Sequence, residues 1–413
     1  MKTCLLFVLV IAVAAAAVPR PSELLKYFID SEPKLSLKPK LNTADRIAAH
    51  GYAVESHDIV TEDGYIITAF RMPYSHKLQN QNAYRPIVLL LHGLFCSSDF
   101  WILNGPNDAL SFNLVDAGYE VWLLNSRGNT YGRKHISRSP QHPYFWRFSW
   151  HEIGYYDVAA QIDYALATNG QGQRSVHFVA HSQGTSAFFV LTSTRPEYNA
   201  KIKLAHTMAP IAYVSNMSDK MLTRMAPVLG HQNIVTALFS DQEFLPHNDL
   251  FTKLGYNACQ PNSKLHGLCS AVAYMFEGSE SNANRTALTI MAETHPAGLS
   301  TNQMLHTMQE QQSGCFCHYD YGKTKNLKEY GQETPPDYPV EQITANIHLW
   351  YCDTDPAVAV EDVELLAAML PNKVMHHITD PTWSHSDYIT HIDVKHLINE
   401  PIIEIINKFE EKL

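Results

Sequence analysis

The sequence predicts an α/β fold in which a mainly parallel β-sheet is interrupted by a mostly helical insertion. Short apolar runs of strand length alternate with longer helical patterns on either side of residues 211–340. Such alternation is typical of parallel sheets whose strands are connected by helices. Within 211–340, Met, Asn, Gln and His become frequent and clear strand patterns vanish. We therefore expect a sheet-based core over 18–210 and 341–413, with 211–340 forming a helical cap and lid.

The predicted strands follow from hydrophobicity and turn signals. Two β-rich runs flank Glu62-Asp63-Gly64 and predict a hairpin over 54–60 and 65–72. Continuously apolar runs such as 87–91 are typical of strands buried on both faces. The remaining strands are predicted at 121–124, 176–180, 204–209, 347–352 and 373–378, and helices at 185–194, 360–370 and 394–409.

The N-terminus predicts export from the cell. Lys2 precedes an apolar run over 4–17 that ends in small residues, as in a cleavable secretory signal, so residues 1–17 are predicted to be removed. Later segments lack the uninterrupted apolar length of a transmembrane helix, so none is expected in the mature chain. Two sequons, at Asn216 and Asn284, predict glycosylation. The net charge of −10 argues against nucleic acid as a partner.

Six cysteines follow the predicted signal, and the sequence alone leaves their pairing open. Cys259 and Cys269 are the expected disulfide, because they enclose a short loop rich in Asn, Pro, Ser and Gly in an oxidising compartment. Cys315, Cys317 and His318 resemble metal ligands, but a second ligand pair at suitable spacing is missing, so no metal is predicted. Cys96 and Cys352 lie in apolar segments and are interpreted as buried thiols.

The strongest chemical signal is the pentapeptide Ala180-His181-Ser182-Gln183-Gly184. It lies between an apolar strand and a helix, which is the context of a nucleophile elbow. Such a turn holds the serine in a strained conformation and places its hydroxyl above the sheet, at the N-terminus of a helix. Gly184 provides the small residue that the close approach of strand and helix needs. Ala180 replaces the usual Gly, and one extra methyl group is tolerable there. Ser182 is thus the predicted nucleophile.

A serine nucleophile needs a base, a carboxylate and oxyanion donors. In folds with such a nucleophile elbow, the acid follows a late strand and the base follows a still later one. His385, in a loop after the last predicted strand, is therefore the predicted base. Asp355 is the favoured acid, with Asp353 and Asp387 as rivals that spacing alone does not exclude. The backbone amides predicted to bind the oxyanion are those of Leu94 and Gln183.

These segments together resemble the acid lipase family of gastric, lingual and lysosomal lipases and their insect relatives, which has the α/β-hydrolase fold. The resemblance runs from about residue 53 to the C-terminus. It rests on several motifs in the family's order: Glu62-Asp63-Gly64-Tyr65, His92-Gly93-Leu94, NSRGNT at 125–130, FWRFSW at 145–150, HSQGT at 181–185 and HSDY at 385–388. Departures occur at Ala180, at Cys352-Asp353 and at 131–133, and they remove no catalytic group.

Matched position by position, the resemblance implies Ser182 as nucleophile, Asp355 rather than Asp353 as acid, and His385 as base. It implies oxyanion donation by the Leu94 and Gln183 amides, a cap disulfide between the two cysteines paired above, and no cofactor. The implied activity is a secreted or lysosomal lipase acting on triacylglycerol or sterol ester at a lipid–water interface. Two alternatives remain: a hydrolase of smaller esters or peptides, and a non-enzymatic lipid-binding protein derived from a lipase.

Overall fold

The main sheet has nine strands in the structure, a computed structural model that describes residues 41–245 and 282–412. The chain divides into two compact units, Met1–Asn42 and Thr43–Leu413. The first unit lies almost wholly outside the described residues, and the predicted signal at residues 1–17 lies outside them entirely. The strands of both sheets are β1 (Glu55–Val60), β2 (Tyr65–Met72), β3 (Ile87–Leu91), β4 (Glu120–Leu123), β5 (Lys134–His135), β6 (Val176–His181), β7 (Ile202–Met208), β8 (Glu243–Phe244), β9 (Leu299–Ser300), β10 (Ile347–Cys352) and β11 (Lys373–Ile378).

The main sheet is mostly parallel, which confirms the predicted fold class. Its order is β1-β2-β4-β3-β6-β7-β10-β11, with β5 paired to β2. All pairs from β4 to β11 along this order are parallel, whereas β2 pairs antiparallel with β1, β4 and β5. The predicted hairpin is therefore β1–β2. Because β6, β10 and β11 run in one direction, their carboxyl ends lie along one edge, where sheets of this kind carry their sites.

The central strands are buried on both faces. Every residue of β3, β4 and β6 is buried, which explains why their sequences are apolar with little alternation. Helices cover the two faces, as parallel connections require. The α-helices of the described residues are α1 (Thr43–Ala49), α2 (Gly105–Asp108), α3 (Leu110–Asp116), α4 (Trp150–Glu152), α5 (Ala159–Asn169), α6 (Gln183–Thr194), α7 (Lys220–Leu229), α8 (Ile234–Phe239), α9 (Arg285–Thr294), α10 (Thr301–Ser313), α11 (Lys323–Glu329), α12 (Val360–Met369), α13 (Asp387–Thr390) and α14 (Glu400–Glu410).

Two π-helical segments join some of these helices. Ile153–Val158 connects α4 to α5, and Lys395–Asn399 leads into α14, where the sequence predicted one regular helix. Short 3-10 helices lie at Ser98–Ile102, Pro143–Trp146, Pro196–Lys201 and Val340–Gln342.

Between β7 and β10 most of the regular elements formed by the described residues are helices. These elements comprise α7 to α11 and the two-residue strands β8 and β9, which pair antiparallel and which the sequence analysis did not predict. Apolar side chains of α7 and α10 form a cluster of their own, separate from the main core: Ala226, Met304 and Met308, together with Leu299. Across the described ranges, we find no helix that combines the length and apolar character needed to cross a bilayer.

Candidate active site

Ser182 lies in the turn between β6 and α6. Its φ of 55° and ψ of −130° are strained for a residue with a side chain. A Cβ built on Gly184 would lie 2.7 Å from the carbonyl oxygen of His92 and 2.9 Å from that of Leu91, so this position requires glycine. Ala180 is fully buried in β6 and pairs with Leu91 across the ladder, with room for its methyl group. The turn therefore has the close strand–helix approach expected of a nucleophile elbow.

The structure brings Ser182, His385 and Asp355 into one hydrogen-bonded chain. The Oγ of Ser182 is 2.7 Å from Nε2 of His385, and Nδ1 of His385 is 2.8 Å from Oδ2 of Asp355. Asp355 follows β10 and His385 follows β11. A hydroxyl, an imidazole and a carboxylate in this order form an activated nucleophile, because the imidazole can accept the hydroxyl proton while the carboxylate holds the other ring nitrogen protonated.

The loop around Asp355 fixes its carboxylate. Asp355 is 5% exposed, and its Oδ1 accepts the backbone amides of Ala357 at 2.9 Å and Val358 at 3.2 Å. Both oxygens also face the imidazole, at 2.8 and 3.0 Å from Nδ1 of His385. The acid is thus held in one orientation before any substrate binds.

The two rival carboxylates have other partners. Asp353 lies at the surface, with Oδ1 2.8 Å from Nε2 of His377. Asp387 is buried and accepts the backbone amide of Ser384 at 2.7 Å, and burial raises the pKa of Asp387 to about 7. Neither carboxylate has a recorded hydrogen bond to His385 in the described part of the chain.

The predicted oxyanion segment packs directly against the nucleophile. A Cβ on Gly93, the residue before Leu94, would lie 2.8 Å from Cβ of Ser182. Gln183 is the first residue of α6, so its backbone N–H has no acceptor within the helix and lies at the positive end of the helix dipole. The predicted oxyanion segment and the start of α6 are therefore both adjacent to Ser182.

His92 supports this segment, a role that the sequence analysis missed. Its Nε2 is 3.0 Å from the amide nitrogen of Asn129, which donates, so Nδ1 carries the ring proton and donates to the carbonyl of Gly93 at 2.8 Å. Burial lowers the pKa of His92 to about 4. The HGL motif could have signalled this role, since a histidine there borders the oxyanion segment.

The electrostatic environment favours a charged His385. Burial lowers the pKa of His385, but the charge and hydrogen bond of Asp355 outweigh burial, and the net effect raises this pKa above its ordinary value. The charge of Asp219, which precedes α7, contributes in the same direction. The charged form of the imidazole is thereby stabilised.

An apolar cluster lies beside the oxyanion segment. Leu94 and Phe95 pack against the buried cluster of Ala226, Leu299, Met304 and Met308, and so do Leu222, Met225 and Leu229 of α7. Ser182 itself is 6% exposed. The predicted oxyanion segment is thus bordered by apolar side chains.

The remaining predicted sites have different outcomes. Asn216 is exposed, and its side-chain amide donates to Oδ1 of Asp362 at 2.8 Å; Asn284 is half-buried. Cys259 and Cys269 lie outside the described residues. The structure joins Cys315 to Cys317 in a disulfide, which the sequence analysis did not predict.

Within residues 41–245 and 282–412, one group of side chains has ligand atoms close enough together to hold a metal ion. It consists of Cys315, Cys317 and Asp337, and both sulfurs are in the disulfide. His318, grouped with the two cysteines by sequence, instead stacks on Tyr338 with ring centroids 4.5 Å apart. Cys352 is a buried free thiol, whereas Cys96 is only partly buried.

Comparison with known proteins is consistent with the geometry of the site. A family model described as "alpha/beta hydrolase fold" matches residues 86–392, and one described as "Partial alpha/beta-hydrolase lipase region" matches residues 43–105. Among solved structures, a soluble variant of monoglyceride lipase from Saccharomyces cerevisiae shares the fold, with a TM-score of 0.52, 15% identity, and coverage of 87% of this chain and 96% of that chain.

Curated relatives are similar over nearly their whole length. Lipase 3 of Drosophila melanogaster is 39% identical, over 90% of this chain and 94% of that protein. Human gastric triacylglycerol lipase is 37% identical, with coverage of 89% and 91%, and human lysosomal acid lipase/cholesteryl ester hydrolase is 34% identical, with coverage of 90% and 92%. The predicted location, secreted or lysosomal, agrees with these relatives. The chain belongs to the acid lipase family of the α/β-hydrolase superfamily and is a serine carboxylic-ester hydrolase of the lipase class.

Proposed function

We propose that this lipase hydrolyses neutral lipid esters, triacylglycerol or sterol ester, through Ser182, His385 and Asp355. The observation that carries the proposal is the continuous chain from the Ser182 hydroxyl through the imidazole to the carboxylate, with contacts of 2.7 and 2.8 Å. The names of the gastric and lysosomal relatives, which include triacylglycerol lipase and cholesteryl ester hydrolase, support the substrate class.

In the proposed mechanism, Ser182 attacks the ester carbonyl carbon while His385 accepts the hydroxyl proton. The carbonyl oxygen becomes an oxyanion that the backbone amides of Leu94 and Gln183 stabilise. His385 then protonates the leaving alcohol, which leaves an acyl-enzyme. Water, deprotonated by His385, releases the fatty acid and restores Ser182. Asp355 orients the imidazole and stabilises the imidazolium.

Two sets of apolar side chains, one next to the predicted oxyanion segment and one on the protein surface, favour a lipid substrate. The cluster around Leu94 and Met304 is suited to bury an acyl chain. On α8 and the end of α7, four large apolar side chains face solvent: Ile234 is 81% exposed, Leu238 58%, Val228 51% and Val235 40%. Exposed apolar groups in one short stretch are typical of an interaction surface, and we assign this one to the lipid–water interface.

The remaining predictions fit this proposal. Residues 1–17 serve as a secretory signal, and residues 211–340 form the cap and lid over the two core segments 18–210 and 341–413. Asn216 and Asn284 carry glycans, and Cys259 pairs with Cys269. The exposed position of Asn216 supports modification there, because an amide that carries a sugar keeps one N–H for Asp362.

A hydrolysis panel tests the proposed substrate class. Purified enzyme would be assayed across pH against dispersed long-chain triacylglycerol, a sterol ester and a soluble short-chain ester, with Ser182→Ala as the inactive control. We expect kcat/KM to be higher on a dispersed long-chain lipid than on the soluble ester. Turnover of the soluble ester alone would identify a small-ester hydrolase instead. Binding of lipid without turnover of any ester would favour the lipid-binding alternative.

A further inference from the structure

His181, the last residue of β6, connects the nucleophile turn to the loop that carries His385. Its Nε2 lies 2.7 Å from the backbone carbonyl oxygen of His385, and the side chain is 2% exposed. A carbonyl oxygen only accepts hydrogen bonds, so Nε2 of His181 carries the proton and donates it. The residue next to Ser182 thus holds the main chain of the residue that must deprotonate Ser182.

The His181 ring is confined to this one tautomer. Its centroid lies 4.9 Å from that of His385 and 5.3 Å from that of Phe100. Burial, together with the nearby His385 and His92 rings, lowers the pKa of His181 well below its ordinary value, so the ring stays neutral. Nδ1 is therefore an unprotonated acceptor, and in the described part of the chain it has no hydrogen-bond partner.

The same ring also borders the oxyanion segment. A Cβ on Gly93 would lie 3.2 Å from Nδ1 of His181, so the ring and this segment are in direct contact. His181 consequently contacts the nucleophile turn, the base loop and the oxyanion segment at once. Burying a histidine with one unsatisfied nitrogen costs folding free energy, and the single hydrogen bond of the His181 ring goes to the loop that carries His385. Packing alone would be served better by an apolar ring.

We propose that His181 is a positioning residue for ester hydrolysis: its Nε2–H holds the backbone of His385 so that the imidazole stays within reach of both Ser182 and Asp355. The inference rests on the proposed roles of these three residues. Without the bond, the base loop can shift, and a displacement of about 1 Å at a catalytic group is enough to lower the rate on the order of 100-fold.

The test compares His181→Phe, which removes the donor, with His181→Gln, whose amide N–H lies the same number of bonds from Cα as Nε2 does. The rate of phosphonylation of Ser182 by a fluorophosphonate, with loss of fluoride, and the turnover of a soluble short-chain ester would both be expressed per titrated active site. We expect His181→Phe to lower kcat about 10- to 100-fold with little change in KM, and His181→Gln to recover most of that loss. The acid limb of kcat/KM should move to lower pH in His181→Phe, because a displaced His385 pairs less well with Asp355.

The matched control is His206→Phe. His206 is fully buried in the neighbouring strand β7, and its Nε2 also lacks a hydrogen-bond partner among the described residues, but it lies against His348 and Trp350 rather than the triad. This variant should lose stability while keeping the rate per active site and the acid limb of the wild type.

The inference is overturned if His181→Phe keeps the wild-type rate per active site and the same acid limb, or if His181→Gln is as slow as His181→Phe. If His181→Phe fails to fold, the protonation of His181 can be measured in the wild type from the nitrogen chemical shifts of selectively labelled histidine. A proton on Nε2 is expected, and a proton on Nδ1 would contradict the inference. If the wild type itself fails to label at Ser182, the proposed function fails instead, so the two failures are distinguishable.

Discussion

The backbone amide of Asp219 donates a 2.8 Å hydrogen bond to the carbonyl oxygen of Pro356, and the amide of Ser218 donates to the same oxygen at 2.9 Å. Pro356 directly follows Asp355, so the chain entering α7 is attached to the loop that carries the proposed catalytic acid. Asp219 also accepts the amide of Leu222 at 2.8 Å through Oδ1, as an N-cap residue does. Its charge raises the pKa of His385.

Replacing Asp219 separates these two roles. Asp219→Asn keeps an N-cap acceptor but removes the charge, so the pKa of His385 should fall. Because His385 must be neutral to accept a proton, activity is lost as pH drops through this pKa, and the acid limb should move to lower pH. The measurement is kcat/KM against pH on a soluble ester. Asp219→Ala should show the same shift and, in addition, cost about 1 kcal/mol of unfolding free energy through loss of the cap. An unchanged limb in both variants contradicts the coupling.

Asp355→Asn should be the most damaging conservative change at the proposed triad. An amide at this position favours the wrong tautomer of His385, and the corresponding change in serine proteases costs on the order of 10⁴-fold in kcat. The residual activity should have its acid limb at lower pH, since the negative charge that raises the pKa of His385 is gone. Asp353→Asn is the matched control, because that carboxylate pairs with His377 at the surface. Equal losses in the two variants would disprove the assignment of the acid.

We expect substitutions at the two small residues of the nucleophile turn, Gly184 and Ala180, to differ in their effects on stability and activity. Gly184→Ala would place a methyl group 2.7 Å from a backbone carbonyl oxygen, which no rotamer relieves, so we expect a loss of about 1–3 kcal/mol in unfolding free energy and a lower kcat. Ala180→Gly restores the residue more usual in such turns, and it should cost at most about 1 kcal/mol with activity nearly unchanged. Urea unfolding and ester turnover measure both effects. A Gly184→Ala enzyme of wild-type stability and rate would show that the close approach is not required.

Removing the exposed apolar side chains of α8 should affect dispersed substrate alone. Ile234→Ser combined with Leu238→Ser removes surface that we assign to the lipid interface, and burial of such side chains is worth about 1.5–3 kcal/mol each. Turnover of dispersed triacylglycerol should fall about tenfold or more, while turnover of a soluble short-chain ester stays constant. Ile136→Ser, at a position 69% exposed but outside α7 and α8, serves as the control. An equal loss of turnover on both substrates would indicate that the substitutions impair folding or the chemical step rather than binding to the lipid surface.

The sequence predicted the elements around the site because their signals are local. Strands β3 and β10 lie where the apolar runs predicted them, since burial on both faces leaves little room for polar residues. The edge strand β11 also lies where it was predicted, although most of its residues are exposed. Ser182, Asp355 and His385 could be chosen because each lies at the carboxyl end of a predicted strand, in a fixed order along the chain. Spacing gave Asp355 only a modest edge over Asp353 and Asp387, and the family resemblance then favoured Asp355 over Asp353 more strongly.

Features that depend on distant contacts were not predictable in this way. His181 and His385 are separated by 204 positions, and no local pattern indicates that one ring reaches the other's carbonyl. The disulfide between Cys315 and Cys317 is local, but the sequence alone could not select it among the pairings that six cysteines allow. The π-helical segment Ile153–Val158 follows from packing, because its sequence is compatible with a regular helix.

The most direct test of the proposed mechanism is covalent labelling of the nucleophile. The enzyme would be treated with a fluorophosphonate, digested and analysed by mass spectrometry, with ester hydrolysis followed in parallel. We predict one adduct per chain, on Ser182, with hydrolysis lost in proportion to labelling and both lost in Ser182→Ala. An adduct on a different residue, or a Ser182→Ala variant that still hydrolyses ester at the wild-type rate, would contradict the proposed mechanism.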